Sequence, residues 1–203
     1  LAAINGMPPP DARWSTVKEF LDLLDGRAAC NVAFMVPHAA IRIEAMGWDD
    51  RAPTPPELAR MQELALQGMM DGAFGFATGL TYPPGAYSDT DELVAICEAV
   101  SDLGGFYMTH ARYTKGDQLL DPFREAVEIG QRSGVPVHIS HYHSPVDGMG
   151  ERMIGLGDEG RNAGVDVTFD QYPYAAASTI LHSLLPYWVH AGGPAVMLER
   201  IKD

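Results

Sequence analysis

The sequence predicts an α/β fold, a parallel (β/α)8 barrel of the TIM type of which about five strand-helix units are present. Three observations lead there. Short runs rich in β-branched and aromatic residues alternate with helical stretches, the runs finish in polar residues, and no glycine-rich phosphate loop follows any of them.

The runs occupy residues 31–36, 73–78, 106–110, 135–140 and 165–170, the later ones starting about 30 residues apart. Between them lie amphipathic helices. Leu93, Ile96, Cys97 and Val100 follow the i, i+3, i+4, i+7 spacing of one helix face, as do Phe123, Ala126, Val127 and Gly130. Thr54 before Pro55 and Asp121 before Pro122 read as N-caps with a first-turn proline. Gly104, Gly134 and Gly164 read as helix stops just ahead of the next strand. Parallel neighbours need a long crossover, so this alternation specifies a parallel sheet. An open doubly wound sheet would concentrate its site at one switch point with a phosphate loop, whereas a barrel gathers polar residues at many strand ends. Here His38, Thr78, His110, His141 and Asp170 all stand at such ends, which favours the barrel.

The 203 residues are 46% hydrophobic and 20% charged, enough to bury a core. Acidic residues number 27 against 14 basic ones, and the basic ones are scattered, so no cationic surface for nucleic acid is expected. No apolar run approaches the roughly 20 residues that cross a bilayer, and the opening Leu-Ala-Ala-Ile-Asn-Gly lacks a signal-peptide pattern. A cytoplasmic protein without membrane or nucleic-acid partners is the expectation. Cys30 and Cys97 share no CxxC spacing and are expected to be buried, reduced and structural. The sequence starts without Met and stops as a helical pattern begins, which predicts that residues 1–203 are a single domain, the internal part of a catalytic barrel truncated at both ends. Expressed alone, such a segment would expose two sheet edges and is expected to be unstable or to aggregate.

His110 and His141 lie one strand-helix period apart, so on consecutive parallel strands their imidazoles can converge on one divalent cation such as zinc. A lone strand-end histidine is more often bonded to a neighbouring carbonyl; two at matching ends favour the metal. His38, after Pro37 on a strand set apart from the others, is expected to have a loop or structural role. His138 should face away from His141 by alternation and pack against a helix. His182 and His190 have no strand context. Arg112 shares the strand face of His110 by alternation and either orients the site or pairs with an acidic neighbour.

Taken together, Asn31-Val32-Ala33 with His38 and Arg42, the run from Gly75 to Gly85, Thr109-His110-Ala111-Arg112, Ile139-Ser140-His141, and Asp170-Gln171-Tyr172-Pro173-Tyr174 leading to Ser178-Thr179 resemble the D-aminoacylase (N-acyl-D-amino-acid deacylase) branch of the amidohydrolase superfamily. The resemblance implies a metal-dependent (β/α)8 barrel that hydrolyses non-peptide amide C–N bonds, with His110 and His141 as histidine ligands of one tightly bound Zn2+. It also implies that a His-x-His pair and a cysteine ligand stand upstream and a catalytic aspartate downstream, so neither Asp170 nor either cysteine here fills those roles. Tyr82, Tyr172 and Ser178 match substrate-contacting positions; packing at the rim is the competing reading of the tyrosines. Where the family places a lysine two residues after the second histidine, this sequence has His143, a substrate-binding candidate with no fixed charge. That departure leaves the substrate open between N-acyl-D-amino acids and another acyl or cyclic amide. The alternatives are a cyclic-amide hydrolase like the dihydroorotases and hydantoinases, disfavoured because no strand ends in lysine, and a non-catalytic barrel homologue.

Overall fold

In the computed structural model residues 13–113, 119–144, 146–176 and 178–202 are described; the opening residues read for a leader and the terminal Asp203 lie outside them. Helix α1 (Val17–Leu24) is closed by a capping box between Thr16 and Glu19. Five strands follow: β1 (Met35–Pro37), β2 (Gly75–Gly79), β3 (Phe106–His110), β4 (Val137–Ile139) and β5 (Val167–Phe169). The crossovers carry α2 (His38–Met46), α3 (Pro55–Met70), α4 (Thr90–Ser101), α5 (Asp121–Ser133) and α6 (Gly150–Asn162), and the described chain ends with the short α7 (Tyr187–His190) and α8 (Pro194–Arg200).

All four strand pairs are parallel and the spatial order is β1-β2-β3-β4-β5. Each strand sits beside its successor with no reversal, as in a barrel wall; a doubly wound sheet would reverse at its switch point. Both predicted helix faces are buried. Leu93, Ile96, Cys97 and Val100 are fully enclosed, and Phe123, Ala126, Val127 and Gly130 pack against the sheet. At Gly130 the approach is so close that a Cβ would lie 2.6 Å from Val137 Cγ2 and 2.7 Å from Val165 Cγ1. Val137 and Val167 thus face the helices, and alternation turns Met108, His138 and Thr168, which are register partners, to the opposite face.

The helix boundaries largely follow the sequence signals. Thr54 donates its backbone N–H to Glu57 Oε2 at 2.7 Å, and Gly104, Gly134 and Gly164 all take positive φ at helix ends. Asp121, read as an N-cap, is instead the first helical residue behind Leu120, with its carboxylate on Arg124 at 3.0 Å. The first strand begins later than residue 31. Its ladder starts where Phe74 N–H reaches Phe34 O, because the turn at Gly72 leaves residues 31–33 no partner backbone. Cys97 is buried as expected, but Cys30 is exposed, in the chain ahead of β1. His38 is structural: β1 is paired directly with β2, and the residue opens α2, fully buried, with Nε2 2.7 Å from Glu92 Oε1.

Candidate metal centre

His110 closes β3 and His141 lies two residues past β4. His110 shares the inner face with Met108, whereas strict alternation from Ile139 would send His141 towards the helices. It does not go there. His141 has φ +41°, the one described non-glycine residue with positive φ, and this left-handed turn brings its imidazole against that of His110. A left-handed L-residue costs about 1–2 kcal/mol, so something must hold it. Asp170, just past β5, accepts the His141 backbone N–H on Oδ1 at 2.7 Å, and its own carbonyl accepts Tyr142 N–H at 2.7 Å.

The facing atoms are His110 Nδ1 and His141 Nε2, 2.7 Å apart, with the rings at 77°. Two nitrogens bound to one tetrahedral zinc are about 3.3 Å apart, so a movement of roughly half an ångström lets both lone pairs meet one cation. Burial first, then the neighbouring His141, pushes the His110 pKa down to about 4, and burial also lowers that of His141. Both rings are therefore neutral at pH 7, the state a metal ligand requires. His110 Nε2 is buried without a hydrogen-bond partner. The donor type, protonation and orientation fit a divalent cation. Among the described residues no group of three or more His, Cys, Asp or Glu is assembled for a metal ion, so the two imidazoles are a partial ligand set.

Tyr113 was not singled out from sequence, yet it closes one side of this pair. Its hydroxyl is 3.0 Å from His141 Nδ1 and its ring lies edge-on to His110 at 5.1 Å. Burial, with Tyr172 and Tyr82 nearby, pushes its pKa up to about 12, so the phenol stays protonated. A tyrosine three residues past a strand end carries no periodic signal, and only tertiary proximity reveals it. The other missed group is His138. With Val137 and Ile139 taking the helix side, it lies on the inner face and not against a helix, its Nδ1 2.8 Å from Thr168 Oγ1 and its Nε2 2.9 Å from Asp170 Oδ2. Burial acts to raise the Asp170 pKa, but the His141 N–H and His138 outweigh it and hold the carboxyl below its ordinary value.

Of the substrate candidates, Tyr82 stands 5.0 Å from the His110 ring, and its hydroxyl pairs with Thr179 Oγ1 at 2.9 Å. Ser178, the residue before Thr179, is exposed. Tyr172 and His143 are bonded to each other at 2.5 Å, with Tyr172 6.3 Å from the His141 ring. Arg112 lies beyond the end of β3 and reaches α5. Its Nε donates to Glu125 Oε2 at 3.1 Å and its Nη1 to Ala86 O at 2.8 Å. It pairs with an acid and fastens the 85–88 loop; it bonds neither histidine.

No family profile matches the chain. Among characterised proteins it is 38% identical over 173 residues to D-aminoacylase of Alcaligenes xylosoxydans xylosoxydans, covering 83% of this chain and 35% of that protein. It is 33% identical to the N-acyl-D-glutamate deacylase of the same organism over 158 residues, 76% of this chain and 32% of that protein. Among solved structures, N-acyl-D-glutamate deacylase from Bordetella bronchiseptica, complexed with zinc and a phosphonate mimic of the tetrahedral intermediate, superposes with a TM-score of 0.76 at 30% identity, over 85% of this chain and 36% of that one. A D-aminoacylase crystal structure described as defining a novel subset of amidohydrolases gives 0.73 at 31% identity, over 83% of this chain and 38% of that one. The chain spans about a third of the length of these relatives. Over that span it is a homologue of the D-aminoacylase and N-acyl-D-amino-acid deacylase amidohydrolases.

Proposed function

We propose that residues 1–203 form the central part of the catalytic barrel of a zinc-dependent hydrolase that deacylates N-acyl-D-amino acids. The observation that carries this reading is the pair of neutral imidazoles, His110 and His141, facing each other at 2.7 Å across adjacent strand ends. These two side chains would hold the ion. Bound zinc would supply Lewis acidity, polarising an amide carbonyl and lowering the pKa of water to about 7. The chain's own residues would do the rest from fixed positions. Tyr82, 5.0 Å from the His110 ring, and Ser178 would donate hydroxyl hydrogen bonds to an amide oxygen or a carboxylate. Tyr172, bonded to His143 and 6.3 Å from the His141 ring, would offer polar recognition together with that histidine. Arg112 would orient the site indirectly, through the loop it fastens.

The test is metal analysis of the purified full-length protein together with its hydrolysis of a panel of N-acetyl-D-amino acids, followed by amine release. Zinc should co-purify, and His110→Ala or His141→Ala should each remove it and abolish turnover. Unchanged zinc stoichiometry in both variants would refute the ligand assignment. Activity on cyclic amides without activity on N-acyl-D-amino acids would refute the substrate class.

A further inference from the structure

The imidazole of His141 reaches His110 only because its backbone leaves the strand conformation at φ +41°. What holds that turn lies on the next strand. Asp170 Oδ1 accepts the His141 N–H, and Oδ2 is 2.9 Å from His138 Nε2. The other His138 nitrogen meets Thr168 Oγ1 at 2.8 Å, and Thr168 in turn donates to the Val137 carbonyl at 3.3 Å. The chain of contacts therefore starts on the backbone of β4, crosses to β5 and returns to the residue just past β4. Each carboxylate oxygen of Asp170 has one of these partners, so rotating the carboxylate breaks both bonds together. Thr168 and His138 are register partners on the inner face, which places the relay on the same face as His110.

We propose that Asp170, oriented by His138 and Thr168, is a positioning residue that fixes the left-handed turn of His141 and so aims this imidazole at the metal position. Asp170 accepts the His141 backbone N–H and acts through that residue. This assignment rests on the reading of His110 and His141 as metal ligands. Partners that orient metal-ligating histidines are worth about 10–100-fold in metal affinity. Fixing the backbone of a ligand acts to the same end as fixing its ring, because both set where the lone pair points.

The experiment is competitive titration of the purified, metal-stripped full-length protein with zinc, and with cobalt read by its visible d–d absorption. Wild type, Asp170→Ala, Asp170→Asn, His138→Ala and His141→Ala are compared, each checked for folding by circular dichroism. Asp170→Ala should bind 10–100-fold more weakly and show a changed cobalt spectrum. Asp170→Asn keeps an acceptor for the His141 N–H and should recover affinity to within a few fold. His138→Ala removes the orienting group without touching His141 and should fall between. Affinity and spectrum unchanged in Asp170→Ala would overturn the proposal, as would an Asp170→Asn protein, folded, that binds as weakly as Asp170→Ala. If Asp170→Ala does not fold, Asp170→Asn and His138→Ala carry the test, and a His138→Ala protein identical to wild type overturns the relay. Failure of the ligand reading itself looks different: wild type and His141→Ala would then bind metal equally.

Discussion

Replacing Glu92 with alanine is expected to destabilise the protein by about 3–5 kcal/mol, the cost of stranding a buried charge. Arg42, Glu92 and His38 are all fully buried. Glu92 Oε1 lies 3.2 Å from Arg42 Nε and 2.7 Å from His38 Nε2. The remaining Arg42 donors already go to backbone carbonyls, Nη1 to Asp49 O at 3.1 Å and Nη2 to Arg51 O at 2.7 Å. Loss of the carboxylate leaves a guanidinium with dipoles but no counter-charge. His38 loses its Nε2 partner while Nδ1 is already unpaired, which is part of the same cost. Against a typical total of about 5–15 kcal/mol this is a large fraction. Urea unfolding of the purified protein measures it, with the m-value checked for constancy. A double variant, Arg42→Met with Glu92→Leu, should recover the part of the loss due to the stranded charge, while His38 Nε2 stays without its partner. A loss below about 1 kcal/mol in Glu92→Ala would refute the reasoning, since an uncompensated buried charge cannot cost so little.

Three further outcomes follow from particular contacts. His110 has a pKa lowered from 6.5 to about 4, so the folded form binds fewer protons than the unfolded one between these values. Metal-free protein should keep this contribution above pH 6.5 and lose it as pH falls through about 4, by about 3 kcal/mol in all; a His110→Gln variant with the same pH slope would contradict this. Gly130→Ala should cost about 1–3 kcal/mol by urea unfolding, because its methyl group would collide with Val137 and Val165, and a neutral result would show that α5 can lift freely. Native alkylation followed by peptide mass spectrometry should label exposed Cys30 and spare Cys97, which is fully buried and whose thiol pKa burial pushes up; equal labelling would mean that α4 opens readily.

The fold was legible because its signals are local and repeated. The apolar stripes of α4 and α5 and the glycines at 104, 134 and 164 each report one element through nearest neighbours alone. The spacing of His110 and His141 was legible for the same reason, one period of a regular architecture. Alternation misjudged the environment of His138 because it tells which residues share a face but not which face meets the helices. That choice is made by Val137 and Ile139, whose burial depends on α5 arriving above them. Tyr113 and Asp170 were illegible as partners of His141 because their contacts span 28 and 29 residues and depend on a backbone turn with no sequence period.

The two strand-end histidines are held by different means. Beside His110, Thr109 is buried on the helix side and accepts a hydrogen bond from Thr78 Oγ1 at 2.8 Å, and Thr78 is itself 2.9 Å from the Tyr107 hydroxyl. Two residues further on, Arg112 ties the chain to Glu125 of α5, a nearly buried pair. The backbone around His110 is thus clamped from behind by a hydroxyl cluster and an ion pair, and its strand conformation alone directs the ring inward. His141 has no such backing, because it has left the ladder and takes its support from Asp170 just past β5 and Tyr113 beyond β3. Buried ion pairs and polar clusters contribute little net stability but tolerate few alternative arrangements. Loss of Arg112 would therefore disturb α5 and the 85–88 loop first, whereas loss of Asp170 would disturb the aim of one imidazole while leaving the other in place.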